Sequence, residues 1–224
     1  MTTQDERIAD SGARTAGIVL IATSLLSILL MAHHPTAASH DSAAIAAEIV
    51  QKAPLSRFVH GALIAMVGAQ IFALIALCHR LGFEQSTVRA GFVSYALGAA
   101  AMIGAALISG FVVSSLSESY APLAAGELDA YRHLLRLSMA GNQALAKFGV
   151  VAMSVAIVLW STAAFRGGRA NLWLAAIGVV TGVAPALALL VGMLALDVHG
   201  MLLVVVCQTV WNVAAGIYLI RAKI

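Results

Sequence analysis

Residues 57–79, RFVHGALIAMVGAQIFALIALCH, decide the fold. After Arg57 the stretch carries no formal charge, and only His60, Gln70 and the closing His79 interrupt its apolar texture. A bilayer core is about 30 Å thick, and a helix needs roughly 20 such residues to cross it. Five further stretches qualify, at about 15–32, 89–114, 143–165, 172–196 and 200–220. The whole chain of 224 residues is 61% hydrophobic and 10% charged, with a mean hydropathy of +0.95. Soluble domains carry about 25% charged residues. The chain therefore reads as an all-α polytopic membrane protein, one bundle of six transmembrane helices spanning residues 1–224.

The formal charge of +3 does not point to nucleic acid, because the basic residues sit mainly at helix ends, where lipid headgroups account for them. The expected partner is the lipid bilayer. A membrane-protein partner or a homo-oligomer stays open. Arg7, Arg14, Arg80, Arg89, Arg166, Arg169, Arg221 and Lys223 flank the spans on one side; Lys52, Arg57, Arg132, Arg136 and Lys147 flank them on the other. The positive-inside rule then places both termini in the cytoplasm of a bacterial inner membrane. Residues 1–38 read as an uncleaved first helix, since the acidic n-region and the lack of an A-x-A site do not fit a signal peptide.

Two long outer connections look structured. Residues 39–53 offer Ser39 or Ser42 as a helix cap and Pro54 as a stop. Residues 124–140 place Leu128, Tyr131, Leu135 and Met139 near one face. Both are expected to lie as short amphipathic segments on the outer face. Small-residue stripes at Gly61/Ala65/Ala69, Ser94/Gly98/Ala101/Ala105 and Gly178/Gly182/Ala186 predict packing seams within the monomer. Pro185 predicts a kink, and Trp160, Trp173 and Tyr218 an interfacial aromatic belt. Cys78 and Cys207 read as inert buried thiols.

Six of the seven histidines fall at one membrane edge. His33 and His34 end the first span, His40 and Asp41 follow, His60 opens the second, His133 lies in a connection, and Asp197 and His199 join the last two. Imidazole and carboxylate from neighbouring helix ends suit a divalent metal or a haem. The candidate metal set is His33, His34, His60, Asp197 and His199, against the alternative that these are interfacial histidines tolerating water and headgroups. A second polar layer, Gln70, Gln208 and Asn212, lies at mid-membrane depth. Isolated amides are costly in hydrocarbon, so Gln70 is expected to meet Gln208 or Asn212. No mid-span carboxylate exists, which argues against a proton-coupled pump. Lys147 is expected to snorkel.

The segments ARTAGIVLI (13–21), SRFVHGALIA (56–65) and AGELDAYRHLLRLSMAGNQALAKFGVVA (125–152) make the chain similar to a group of bacterial six-span membrane proteins known as a domain of unknown function. That resemblance implies fold and location and carries no catalytic residues. No glycine-rich phosphate loop, GxSxG elbow or HExxH motif names a reaction, so whether the protein is an enzyme is undecided at this level. The functional expectation is a metal- or small-ligand-binding site at the outer histidines. A non-catalytic accessory or scaffold subunit and a small transporter are the alternatives.

Overall fold

The computed structural model describes residues 3–36, 41–121, 128–166 and 172–221. Its helices are α1 (Thr3–Ala32), α2 (Ser42–Leu81), α3 (Ser86–Leu107), α4 (Val113–Tyr120), α5 (Leu128–Arg166), α6 (Leu172–Leu190) and α7 (Val198–Arg221). A π-helical turn, Ile108–Val112, joins α3 to α4 without a break. Counting α3 and α4 as one body, six helices are long and apolar enough to cross a membrane. The protein is an all-α six-span bundle, and an even number of crossings returns both termini to the same side. That side is the terminal end below, and the opposite one the far end.

The helices close a ring in chain order: α1 on α2, α2 on α3, α3 on α5, α5 on α6, α6 on α7, and α7 back on α1. Lipid supplies little drive for helix association, so the seams rest on close backbone approach. A Cβ on Gly98 would stand 2.9 Å from the Gly149 carbonyl of α5, and Ser94 beside it donates to the Ala152 carbonyl at 2.8 Å. Gly178 and Gly182 seat α6 on Ser161 and Ser154 of α5. Gly17 and Gly216 do the same for α1 and α7. The Gly61/Ala65/Ala69 stripe is not such a seam. Gly61 has only the Phe111 ring at 3.8 Å and Ala65 is exposed. α2 instead turns its large side chains Leu74 and Leu77 into the core.

The two outer segments are not separate elements. α2 runs unbroken through Pro54, and the second segment is the first part of α5. Proline removes one hydrogen bond, but Ala46, Ala53 and Val59 are buried on either side of it, and tertiary packing overrides local propensity. The cap of α2 is Asp41, whose carboxylate accepts from the Ala43 and Ala44 amides at 3.0 and 3.2 Å. Ser39, His40, residues 124–127, Arg169 and Lys223 lie outside the described residues. The fifth span ends at Leu190 rather than 196, because Gly192 adopts φ 76° and lets the Met193 amide fold back onto the Ala188 carbonyl at 2.8 Å.

The terminal half of the ring is filled. Trp160 and Trp211 stack at 5.6 Å with an 11° interplanar angle, and Tyr95 tilts against Trp160 at 5.6 Å. Trp160 is therefore a core residue, fully buried with its indole donating to the Val88 carbonyl, and not part of an interfacial belt. Trp173, 40% exposed, fits the belt. Among the described residues no disulfide links the free thiols Cys78 and Cys207.

The seam geometry separates two glycines of one sequence type. Gly98→Ala is expected to lower unfolding stability in mixed micelles by about 1–3 kcal/mol through overpacking. Gly61→Ala has room for its methyl and should be neutral, or stabilising by up to about 1 kcal/mol through helix propensity. Equal losses at the two positions would refute the assignment of the seam.

Candidate functional site

The far half of the ring is hollow. A cavity of about 790 Å³ runs from Thr36 and Lys52 at its mouth to Gln70, Gln208, Thr209 and Asn212 at its floor. From His60 to Gln70 along α2 is about 15 Å, at about 1.5 Å rise per residue. The cavity therefore reaches roughly half-way through a bilayer core. The wall between mouth and floor is mainly apolar, with Leu63, Ile64, Val67 and Val205 beside the hydroxyls of Ser27 and Ser109, and it includes Met31, Met102, Met139, Met153 and Met201. Those five are most of the chain's 8 methionines.

The mouth is built by helices longer than a bilayer requires. α2 and α5 project past the far end, where Ala46, Leu128 and Tyr131 form a small core with Leu116 and Tyr120. Tyr131 and Ser117 of α4 hydrogen-bond at 2.9 Å, and Arg57 of α2 pairs with Glu118 of α4 at 2.6 Å. Lys52 donates to Glu48 at 2.6 Å and to the Thr36 carbonyl at 2.7 Å, tying the connection after α1 to α2. Gln143 of α5 donates to the Leu196 carbonyl at 2.9 Å and so holds the α6–α7 connection against the rim.

Of the candidate metal ligands, the structure brings His34 and His60 together. Their Nε2 atoms lie 3.1 Å apart and the rings meet edge-on at 75°. His60 Nδ1 faces the Ser56 carbonyl at 2.8 Å. A carbonyl only accepts, so Nδ1 carries the proton and the neutral ring presents a lone pair at Nε2. His34 Nε2 is then the donor of the pair. His34 Nδ1 is left buried with no hydrogen-bond partner. His34 lies beyond the end of α1, outside the spanning helices. Burial first, and then the His60 ring, push its pKa down to about 4, with the Pro35 carbonyl acting the other way.

No third His, Cys, Asp or Glu joins these two in a metal-sized group among the described residues. His33 is exposed and bonded at Nδ1 to the Leu29 carbonyl at 2.9 Å. His199 is exposed and does not line the cavity. Asp197 lines the rim, where its carboxylate caps α7 by accepting from the Gly200 amide at 2.8 Å. Lys147 is exposed and faces away from the cavity.

The floor is a hydrogen-bonded cluster. Gln70 Nε2 and Asn212 Nδ2 both donate to the Ser24 hydroxyl, at 3.2 and 3.0 Å, and Thr209 donates to the Ser24 carbonyl at 3.2 Å. Tyr95 donates to Gln70 Oε1 at 3.2 Å. Gln70 and Asn212 are thus joined through Ser24 of α1 and not directly. Ser24 was invisible to a reading that paired amides with amides; a hydroxyl in the middle of ATSLLS was its signal. Gly110 was missed too. It sits in the π turn, and a Cβ there would stand 2.5 Å from His60 Cβ, so only glycine lets the turn lie against that ring. Ser114 returns a hydrogen bond to the Gly110 carbonyl at 2.9 Å.

Comparison with known families places residues 15–222 in a single model, described as Domain of unknown function (DUF4386). The chain belongs to that family. The DUF4386 match takes in all the residues that line the cavity. No curated protein and no solved structure matches the chain.

Removing the Ser24 hydroxyl leaves two buried amide donors short. Ser24→Ala is expected to cost about 1–2 kcal/mol, at roughly 0.6 kcal/mol or more per membrane hydrogen bond. Combining it with Asn212→Leu should cost less than the sum of the single changes. Strict additivity in micelle unfolding would contradict the shared node.

His34 sets a pH dependence. Its folded pKa is below the unfolded value of about 6.5, so the unfolded chain binds the extra proton between the two. Stability should be full above about pH 6.5, fall as the pH drops, and level off below about 4. His34→Gln should flatten the melting temperature across that window. A wild-type slope unchanged by the substitution would show that other groups set it.

Proposed function

We propose that this protein binds a small molecule inside the membrane, in the cavity between the His34–His60 pair and the Ser24 cluster. The observation that carries this reading is the cavity itself. Its volume of about 790 Å³ falls in the range of ligand sites, roughly 300–1,000 Å³. It is mainly apolar, with a few convergent polar groups, as such sites are. A purely structural bundle would gain packing energy by filling this space, since unfilled volume lowers stability by about 24 cal/mol per Å³ in engineered soluble cores. The positive-inside rule supports a bacterial inner-membrane location with termini in the cytoplasm, so the mouth opens on the outer side.

A small organic ligand is preferred over a resident divalent metal. His34 and His60 are the pair the chain brings together from the expected metal set, and no third protein ligand of the usual kind accompanies them among the described residues. Structural and catalytic zinc sites use three or four such ligands. Transport is a second reading, favoured by one observation: the cavity ends at mid-membrane on Gln70, Thr209 and Asn212, and Gln70 is bonded to Tyr95 of the packed Tyr95–Trp160–Trp211 group beneath, which is where a gate to the other side would stand.

Ala106 lines the cavity, and Ala106→Trp would project an indole into it and obstruct it. Native mass spectrometry of protein released in mild detergent should find a small-molecule adduct on the wild type and lose it in the variant, with melting temperature preserved. Identical spectra from the two proteins would overturn the reading.

A further inference from the structure

We infer that the cavity takes an uncharged amphiphile head first, with a hydrogen-bonding head group on Gln208 and Asn212 and an apolar tail along the methionine-lined wall. This rests on the cavity being a ligand site and adds the chemical class of the ligand and its orientation.

The hydrogen-bonding capacity of the floor shows what is left for a guest. The Ser24 hydroxyl already accepts from Gln70 and Asn212, and Gln70 Oε1 already accepts from Tyr95. Two groups remain. Asn212 is 4% exposed, and its Oδ1 is buried without a partner. Gln208 lies one helical turn earlier on the same face of α7 and lines the same floor, and its amide makes no hydrogen bond to the described residues. Together they offer two acceptors and a donor. A buried acceptor left unpaired is destabilising, so a guest carrying both a donor and an acceptor recovers what the fold leaves open. A carboxamide or a hydroxyl meets that requirement.

The same floor rejects charge. The Asp, Glu, Lys and Arg residues that line the cavity are Lys52 and Asp197, both at the mouth. Lys52 is committed to Glu48 and the Thr36 carbonyl, and Asp197 to the amino end of α7. An ionised head at the floor would lie about 27 Å below Lys52 along α2 and about 16 Å below Asp197 along α7, at about 1.5 Å rise per residue. It would have no counter-ion, and ionised groups at that depth are expensive. The wall above is mainly thioethers and aliphatic groups, which adapt to a flexible chain; of its hydroxyls, Ser27 already donates to the Thr23 carbonyl at 2.8 Å and Ser109 lies beside Gly110 toward the mouth.

The test uses the full chain in lipid nanodiscs at pH 8, with five radiolabelled probes sharing a ten-carbon chain: decanamide, 1-decanol, decane, decanoate and decylammonium. Retention is measured against Ala106→Trp to subtract partition into lipid. Decanamide should bind tightest, with decanol next and the two ions at least tenfold weaker than decanamide. Gln208→Leu should weaken decanamide about three- to tenfold while leaving decane unchanged, as expected for losing a hydrogen bond of about 0.5–1.5 kcal/mol. Asn212→Leu should act the same way. If it fails to fold for want of its Ser24 bond, Gln208→Leu carries the test, because its amide supports no contact in the fold. Equal retention of decanamide and decane, or no effect of Gln208→Leu, would overturn head recognition while leaving the cavity as a ligand site. Tightest binding by either ion would overturn the neutral class. No probe retained above the obstructed Ala106→Trp variant would overturn both this inference and the functional reading beneath it.

Discussion

The Ser24 hydroxyl takes hydrogen bonds from Gln70 of α2 and Asn212 of α7 while α1 supplies the oxygen, so one atom joins three helices at mid-membrane depth. Hydrocarbon offers no alternative partner, which is why such a cluster fixes how the helices sit against each other. Below it, toward the termini, the ring is filled by Leu20, Leu74, Leu77 and the stacked indoles. Above it the helices enclose space. The cluster is therefore both a clasp and the floor of the cavity.

Close backbone approach and a maintained cavity are competing demands on one ring. Glycines at 17, 98, 149, 178 and 216 draw the helices together. At the far end, the π turn at Ile108–Val112 re-aims the rest of that helix and brings Gly110 against His60. π turns of this kind occur frequently at functional sites. The projecting parts of α2 and α5, clamped by Tyr131 and Ala46, hold the rim without filling the cavity beneath.

The histidine pair at the mouth is polar without being charged. Its hydrogen-bond chain runs from His34 through His60 to the Ser56 carbonyl and is consistent with two neutral rings. Near pH 7 the mouth therefore presents no uncompensated cation from this pair. That agrees with a floor made of neutral amides. Protonation of His34 in acid would place a charge beside His60 at the rim.

Composition and periodic length were enough to determine the class of fold, because crossing about 30 Å of hydrocarbon imposes roughly 20 apolar residues whatever the neighbours are. The α3 and α6 small-residue stripes, the depth of Gln70 and Asn212, and the end of the membrane that holds His34 and His60 were legible for the same reason: each is a position along one helix. Which residues touch is a property of helix pairs, and that the tertiary structure alone decided. It selected His34 and His60 from a dispersed set of histidines, turned Asp41 and Asp197 into helix caps, inserted Ser24 between two amides and drew Trp160 from the interface into the core. The cavity belongs wholly to that level. A void has no residue of its own, and appears only when the five spans other than α6 and the connection after α6 close around it.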